Sequence, residues 1–357
     1  MKKNTFVILV MVIFVFLTGC NKKLATDNTT TGKSATSQTK NNNSKDIISI
    51  PKIENYYPFE KNVKYSYVGN GNEYATYYEN VDYVSVNRKQ IRTNNGGTET
   101  IKVIENKDGE LRLIFSKSEI YYRENFTLKN NAKPEILLKQ PLIKGNSWIL
   151  SDGGVRTITN VKVAITTPIA TYECIEVSTV RKDSFVKDYY APNIGLVKTL
   201  FESNGNKVSS TLSKIEKNVP FVQTVKFYFP NGNTGINYIT EKKLSFSTNY
   251  ITKAIFEKSF KEVPNKNVGK VISPNTKIKS LYLNVDGIVY VDFSKEFIRE
   301  MNAGSGYESQ ILQCITNTLG DYYMVKKVYI TVEGKPYSSG HILMKKGEAF
   351  IVDYKNN

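Results

Sequence analysis

The sequence predicts an α+β protein in two parts: an all-β N-terminal region built as a curved antiparallel sheet or a sandwich, and a two-layer α+β C-terminal domain. Three observations predict it. Residues 47–217 hold one short alternating apolar segment after another, with turn residues between them and no helical period. Past Asn218–Pro220, strand patterns alternate with two apolar stripes at helical spacing. Between residues 20 and 46 there is almost nothing large and apolar to bury.

Residues 1–20 read MKKNTFVILVMVIFVFLTGC: two lysines, an apolar run from Phe6 to Leu17, then Thr18-Gly19-Cys20. The run is short and begins close to the start, which fits a cleaved signal better than a spanning helix. Leu-Thr-Gly-Cys matches the bacterial lipobox, where small residues precede a cysteine that is acylated and becomes the new N-terminus. Residues 1–19 are therefore read as a signal peptide and Cys20 as the lipid anchor. The rest of the chain is then expected on the extracytoplasmic face of a Gram-positive type cell membrane. Residues 20–46, rich in Asn, Thr, Ser and Lys, cannot offset the entropy of ordering by burial and read as a flexible tether. A tether of about 26 residues has a mean reach of roughly 25–30 Å.

The chain carries 49 Lys+Arg against 33 Asp+Glu, a formal +16 that becomes +14 once Lys2 and Lys3 leave with the signal. Such a surface suits anionic lipid heads, peptidoglycan or anionic wall polymers. Nucleic acid is not expected as a partner outside the cell, and the basic residues are scattered rather than bunched. Beyond Cys20 only Cys174 and Cys314 remain, in different halves, and they read as buried free thiols. His341 is the only histidine. A transition-metal site or a His-based nucleophile has little to build on, and no metal or cofactor is expected.

In the β-rich region the strand patterns are Val63–Val68, Tyr74–Val86, Glu99–Ile104, Leu111–Phe115, Glu119–Thr127, Arg156–Val163, Tyr172–Val180 and Leu196–Phe201. Asn94-Asn95-Gly96-Gly97, Lys107-Asp108-Gly109 and Asn204-Gly205-Asn206 are the hairpin signals. Trp148 reads as a core anchor. The many tyrosines suit a sugar-binding face, though tyrosine also simply covers half-buried sheet.

After the boundary, Val222–Phe229 and Ile236–Phe246 read as strands. Ser247 or Thr248 is the expected cap of a helix to Val263, with Ile251, Ala254, Ile255 and Phe260 inward and Pro264 stopping it. A hairpin follows: Leu281, Leu283 and Val285 on one face, a two-residue Asp286-Gly287 turn, then Val289 and Val291. Ser294 is the expected cap of a short helix through Met301. Tyr307, Ile311, Cys314, Ile315 and Leu319 mark one face of a second helix, with Gly320 as its C′ residue. Val328, Ile330 and Val332 form a last strand. Two independently folding units are expected to meet near Asn218–Pro220.

Here a resemblance appears. Val225-Lys226-Phe227-Tyr228-Phe229-Pro230, the helix before Pro264, Ile272-Ser273-Pro274-Asn275-Thr276-Lys277-Ile278, Asp286-Gly287, Val291-Asp292-Phe293-Ser294, Thr318-Leu319 and Val328–Gly334 stand in the order of the GerMN domain. That is the repeated domain of GerM-type sporulation and spore-germination proteins. The resemblance places a GerMN domain over residues 221–346, with 347–357 as a tail. It implies a ring-building-motif-like fold, and scaffolding rather than catalysis. This chain carries one such domain where GerM has two, behind an unrelated β-region. The Tyr189–Val197 stretch resembles a turn-and-strand signature of bacterial lipoprotein β-domains, which implies only a fold.

The best acid pair is Asp286 with Asp292, joined by Glu296 and Asp321. Glycoside chemistry needs two carboxyls set across a groove, and the turn and strand end already account for this pair, so no catalytic residue is assigned. The expected function is a membrane-anchored extracytoplasmic scaffold or interaction lipoprotein, linked to sporulation, germination or envelope assembly and working through a protein partner. The alternatives are a cell-wall glycan binding module and a wall hydrolase. Lys326 and Lys327, with Glu257, Glu262 and Glu300 on the helices, are the candidate interface charges.

Overall fold

The structure, a computed structural model, describes residues 51–131 and 133–355. The signal peptide, Cys20 and the tether lie outside the described residues.

Alternating side chains and glycine turns lay out twelve strands in the first part: β1 (Val63–Asn70), β2 (Tyr77–Val84), β3 (Arg88–Asn94), β4 (Glu99–Lys107), β5 (Glu110–Ser118), β6 (Glu135–Lys139), β7 (Ser147–Ile149), β8 (Val155–Thr166), β9 (Thr171–Val180), β10 (Phe185–Ala191), β11 (Gly195–Ser203) and β12 (Asn206–Lys217). They form one antiparallel sheet in the order β6-β5-β4-β3-β2-β1-β12-β11-β10-β9-β8-β7. Two consecutive meanders therefore lie side by side, joined where β1 pairs with β12. Asp108-Gly109 and Asn204-Gly205 take positive φ at both positions (55° and 72°, 46° and 83°), the turn that matches strand twist.

The free edges, β6 and β7, meet across a seam. The Trp148 indole and Arg156 Nη1 both donate to the Ile136 carbonyl, at 3.1 and 2.7 Å, and Asn146 Nδ2 donates to the Lys139 carbonyl at 2.9 Å. These side-chain donors replace a missing ladder and cover an edge that would otherwise template another strand. Behind the seam, Ile104, Leu111 and Leu138 of one meander pack with Trp148, Ile158 and Val177 of the other. The region is thus a single sheet rolled on itself, and not a sandwich of two sheets. Helix α1 (Ile53–Tyr56) closes one end, with Ile53 buried in the same cluster.

Two expected strands differ. Tyr74–Val86 is a short 3₁₀ turn followed by β2 and the β2–β3 connection. Glu119–Thr127 forms no strand among the described residues: apart from Ile120 N–H donating to Glu99 O at 3.2 Å, it is an irregular segment whose buried Ile120, Tyr122 and Phe126 face the second half of the chain. Its apolar alternation records burial at that junction, not a sheet.

The second part opens with the ribbon β13 (Phe221–Phe229) and β14 (Tyr238–Phe246), then helix α2 (Thr252–Lys261). A further sheet orders β15 (Ile278–Leu283), β16 (Val289–Phe293), β17 (Lys327–Val332) and β18 (Lys335–Pro336), with β19 (Phe350–Ile351) also on β17. Helices α3 (Glu296–Arg299) and α4 (Ser305–Tyr323) bridge β16 to β17, which run parallel. The described residues are mostly β, with few helices.

Five local expectations change. The β15–β16 turn is a longer loop: Asn284 N–H donates to Ile288 O, only Gly287 has positive φ, and Val285 is 96% exposed. The two-residue turn with both φ positive sits instead at Glu333-Gly334 (51° and 73°). Thr248 does not cap α2, because its hydroxyl donates to Val81 O (2.9 Å) and accepts from Asn62 N–H (2.8 Å). The buried face of α2 is Thr252, Phe256, Ser259 and Phe260, while Ile251 and Ala254 are exposed. Ser294 caps nothing either: its Oγ accepts from Lys277 N–H at 3.0 Å and ties the hairpin to α3. Gly320 is inside α4, which ends at Met324 in the left-handed region. A Cβ at Gly320 would stand 2.2 Å from Val352 Cγ2, so that glycine is there for close packing of the C-terminal segment.

One apolar cluster crosses between the two parts, joining Ile101, Val103, Ile114 and Tyr122 to Phe229, Phe256 and Tyr323. At its rim Arg123, buried, donates to Tyr83 Oη (2.9 Å), Asp82 O (2.8 Å) and Tyr250 O, while its own N–H donates to Tyr322 Oη at 2.8 Å. Asp82 is also paired with Arg92 at 3.2 Å, and all three side chains are fully buried.

Candidate functional site

Rolling a sheet brings one side-chain parity of every strand into a common interior. Here that interior is a cavity of about 370 Å³. Its walls come from successive inward positions: Tyr65 and Tyr67 on β1, Tyr77 and Glu79 on β2, and Lys89, Ile91 and Thr93 on β3. Further round are Lys102 and Ile104 on β4 and Asp188 and Tyr190 on β10. Tyr57 and Pro58, just after α1, floor one end, and the half-exposed Tyr74 marks the other.

The polar groups are held, not loose. Lys89, 4% exposed, donates to Pro58 O at 3.2 Å and lies over the rings of Tyr57 (4.8 Å) and Tyr65 (5.4 Å). Burial pulls its ammonium down to about 8, against Glu79 and Glu60. Thr199 donates to Asp188 Oδ1 at 2.7 Å, yet burial still pushes that carboxyl above the usual range. Thr93 donates to Glu79 Oε1 at 3.1 Å. Tyr67 and Tyr77 stack at 4.5 Å between ring centres. Burial raises the phenols of Tyr57, Tyr65, Tyr77 and Tyr190, so all stay protonated donors. The arrangement offers binding chemistry: aromatic faces, hydroxyls and balanced charge. Sequence reading offers the tyrosines as a sugar-binding face without placing them, and Tyr57, Tyr77 and Tyr190 are among the residues brought together here. It does not single out the charged members, such as Lys89 beside Ile91 and Thr93.

The residues singled out from sequence lie elsewhere. Asp286 Oδ2 accepts from Asn284 Nδ2 and Tyr290 Oη, both at 2.9 Å, and Oδ1 accepts from Ile288 N–H. Asp292 Oδ1 accepts from Thr331 Oγ1 (2.7 Å) and Gly334 N–H (2.8 Å). Asp321 accepts from Tyr228 Oη at 2.6 Å and from Tyr354 Oη. The structure binds these carboxyls into a turn, a strand edge and a helix surface. Lys326 and Lys327 are exposed, and no ion pair joins them to another described residue. Glu257 is not a free surface charge, since it takes Lys261 (2.7 Å), Lys277 (3.1 Å) and Ile278 N–H (3.0 Å). His341 bonds Glu308 at 2.8 Å, a carboxylate that also accepts from Tyr337 and Ser339 and loops 337–342 onto α4. Cys174 and Cys314 are free and buried. Among the described residues no helix is long and apolar enough to cross a membrane, and no cluster of His, Cys, Asp or Glu suits a metal ion.

Fold and site together define a mostly β part whose interior is lined by aromatic, aliphatic and charged side chains, joined to a smaller part in which helices cross between strands. Residues 226–338 of that smaller part match the family model described as Germane, sporulation and spore germination, so this part of the chain is a GerMN-type domain. Among solved structures it is similar to the tandem GerMN domains of the sporulation protein GerM from Bacillus subtilis, at 22% identity over 33% of this chain and 41% of that one, with a TM-score of 0.26. It is also similar to a Clostridium perfringens protein described as a lipoprotein (17% identity, 37% and 87% covered, TM-score 0.25) and to one from Parabacteroides distasonis (15%, 45% and 98%, TM-score 0.27). The chain thus spans about two fifths of the tandem GerM structure. No curated protein matches it.

Proposed function

We propose that this protein is a lipid-anchored extracytoplasmic interaction module of the cell envelope, serving sporulation or germination, and that it is not an enzyme. The observation that carries the reading is the Germane match over residues 226–338. On this reading Cys20 holds the protein to the membrane, residues 20–46 space it off, and residues 221–346 form a two-layer α+β domain of ring-building type that contacts a protein partner. Lys326 and Lys327 lie at the start of β17, beside a sheet edge, and supply charge that sets register. Each exposed pair contributes at most about 1 kcal/mol, so affinity rests on apolar burial or avidity. The committed carboxyls of Asp286 and Asp292 support the non-catalytic reading.

The experiment is recovery of the tagged protein from membranes of sporulating and vegetative cells. One partner should co-purify, and charge reversal of Lys326 and Lys327 should weaken its recovery without lowering Tm. Cys20→Ala should leave an unprocessed precursor that takes up no labelled fatty acid. Muropeptide release by purified protein, abolished by Asp292→Asn, would overturn the reading.

A further inference from the structure

We propose that the interior of the rolled sheet is a binding site for a small, uncharged, polyhydroxylated ring: a single sugar residue. The inference is independent of the partner surface in the second half.

Size sets the first limit. At about 30 Å³ per water in the liquid, the cavity takes about a dozen water-sized groups, the heavy-atom count of a hexose. Wall chemistry sets the second. Among the described residues none accepts from or donates to the hydroxyls of Tyr57, Tyr65, Tyr77 and Tyr190, although Tyr65 and Tyr190 are more than nine-tenths buried and all four line the cavity. Asp188 and Glu79 each keep one carboxyl oxygen without a hydrogen bond to a described residue. Polar groups that line a cavity in this way favour a ligand that hydrogen-bonds them over one that cannot.

Charge sets the third. The lining cations Lys89, Lys102 and Arg156 face as many lining carboxylates, Glu79, Glu135 and Asp188, so a net-charged guest gains nothing by entering. An acyl chain would cover the aliphatic lining of Ile91, Ile104, Leu113 and Leu137 but would leave the tyrosine hydroxyls and the carboxylates beside it without partners. The tyrosine rings supply flat faces for the C–H side of a sugar ring, which a zwitterion such as an amino acid does not use. A neutral sugar meets all three conditions. It would come either free or as the end of a glycan chain.

The test is calorimetric titration of the full chain in detergent micelles with glucose, N-acetylglucosamine and chitotriose. At least one should bind saturably, and Tyr77→Phe and Tyr190→Phe, which remove only hydroxyls, should each weaken it at least fivefold with Tm unchanged. Should either variant lose its fold, Lys102→Gln takes its place. Chitotriose binding tighter than the monosaccharides marks a chain end as the source, and equal binding marks a free sugar. The proposal fails if folded protein binds none of the three, if the variants bind as well as wild type, or if palmitate or glycine binds and is lost in the same variants.

Discussion

At the residue scale, two buried charges make opposite demands. Lys89 sits among tyrosines with its ammonium held down to about 8, whereas an unfolded lysine keeps its proton to about 10.4. Between those values the unfolded chain binds more protons, so this group adds stability as pH rises from 8 to 10 and nothing below that window. Comparing wild type with Lys89→Met isolates the effect, since the Cys174 thiol, pushed up to about 12 by burial, titrates alike in both. The stability of the variant relative to wild type should fall by about 1–3 kcal/mol between pH 7 and pH 10, read by urea unfolding. A difference independent of pH would refute it. Arg123 makes the other demand. Removing it leaves the fully buried Asp82 with Arg92 as its one remaining ion-pair partner among the described residues, and frees the Ser247–Tyr250 turn. Arg123→Ala should cost about 3–5 kcal/mol by denaturant unfolding, the scale of a broken buried pair.

At the scale of elements, α4 shows how a local rule is overridden. Glycine inside a helix costs about 1 kcal/mol relative to alanine, so Gly320→Ala would stabilise an isolated helix. Here the new methyl meets Val352, whose segment is tied on by Asn317 Nδ2 to Asp353 O (2.7 Å) and by β19 on β17. Overpacking of this kind typically costs about 1–3 kcal/mol. Gly320→Ala should therefore destabilise and speed amide exchange over residues 350–354, and adding Val352→Ala should restore most of the loss. Within the stretch expected as a tail, Phe350–Ile351 thereby adds to the sheet. The seam between β6 and β7 follows the same logic, with Trp148, Arg156 and Asn146 covering carbonyls that no strand pairs.

Over the whole molecule, the question is how far the two parts are separable. The strand-only pattern gives way to mixed elements near Asn218–Pro220, and we propose the division there. Yet the largest apolar cluster draws on both sides of it, and residues as far apart as Asn62 and Thr248 exchange hydrogen bonds at 2.8 and 2.6 Å. Parts that share a core lose it together. Scanning calorimetry should show one transition whose calorimetric and van't Hoff enthalpies agree, and two resolved peaks would show that the junction contributes little.

What the sequence determined by itself is what short range decides. Period-two alternation and the Asp108-Gly109 and Asn204-Gly205 turns place strands, because φ preference and side-chain parity are properties of a few adjacent residues. The ordered short motifs between Val225 and Gly334 revealed the GerMN domain for the same reason. Other features were decided by the tertiary structure alone. Whether the meanders formed a sandwich or a roll depended on edges that meet through Trp148 and Arg156. That Glu119–Thr127 is no strand depended on the surface that buries it. The inward set of Tyr65, Tyr77, Lys89, Asp188 and Tyr190 spans more than a hundred residues of chain, and no window of sequence contains it. It becomes a site only when the roll closes and inward residues of strands far apart in the chain are turned toward the same space.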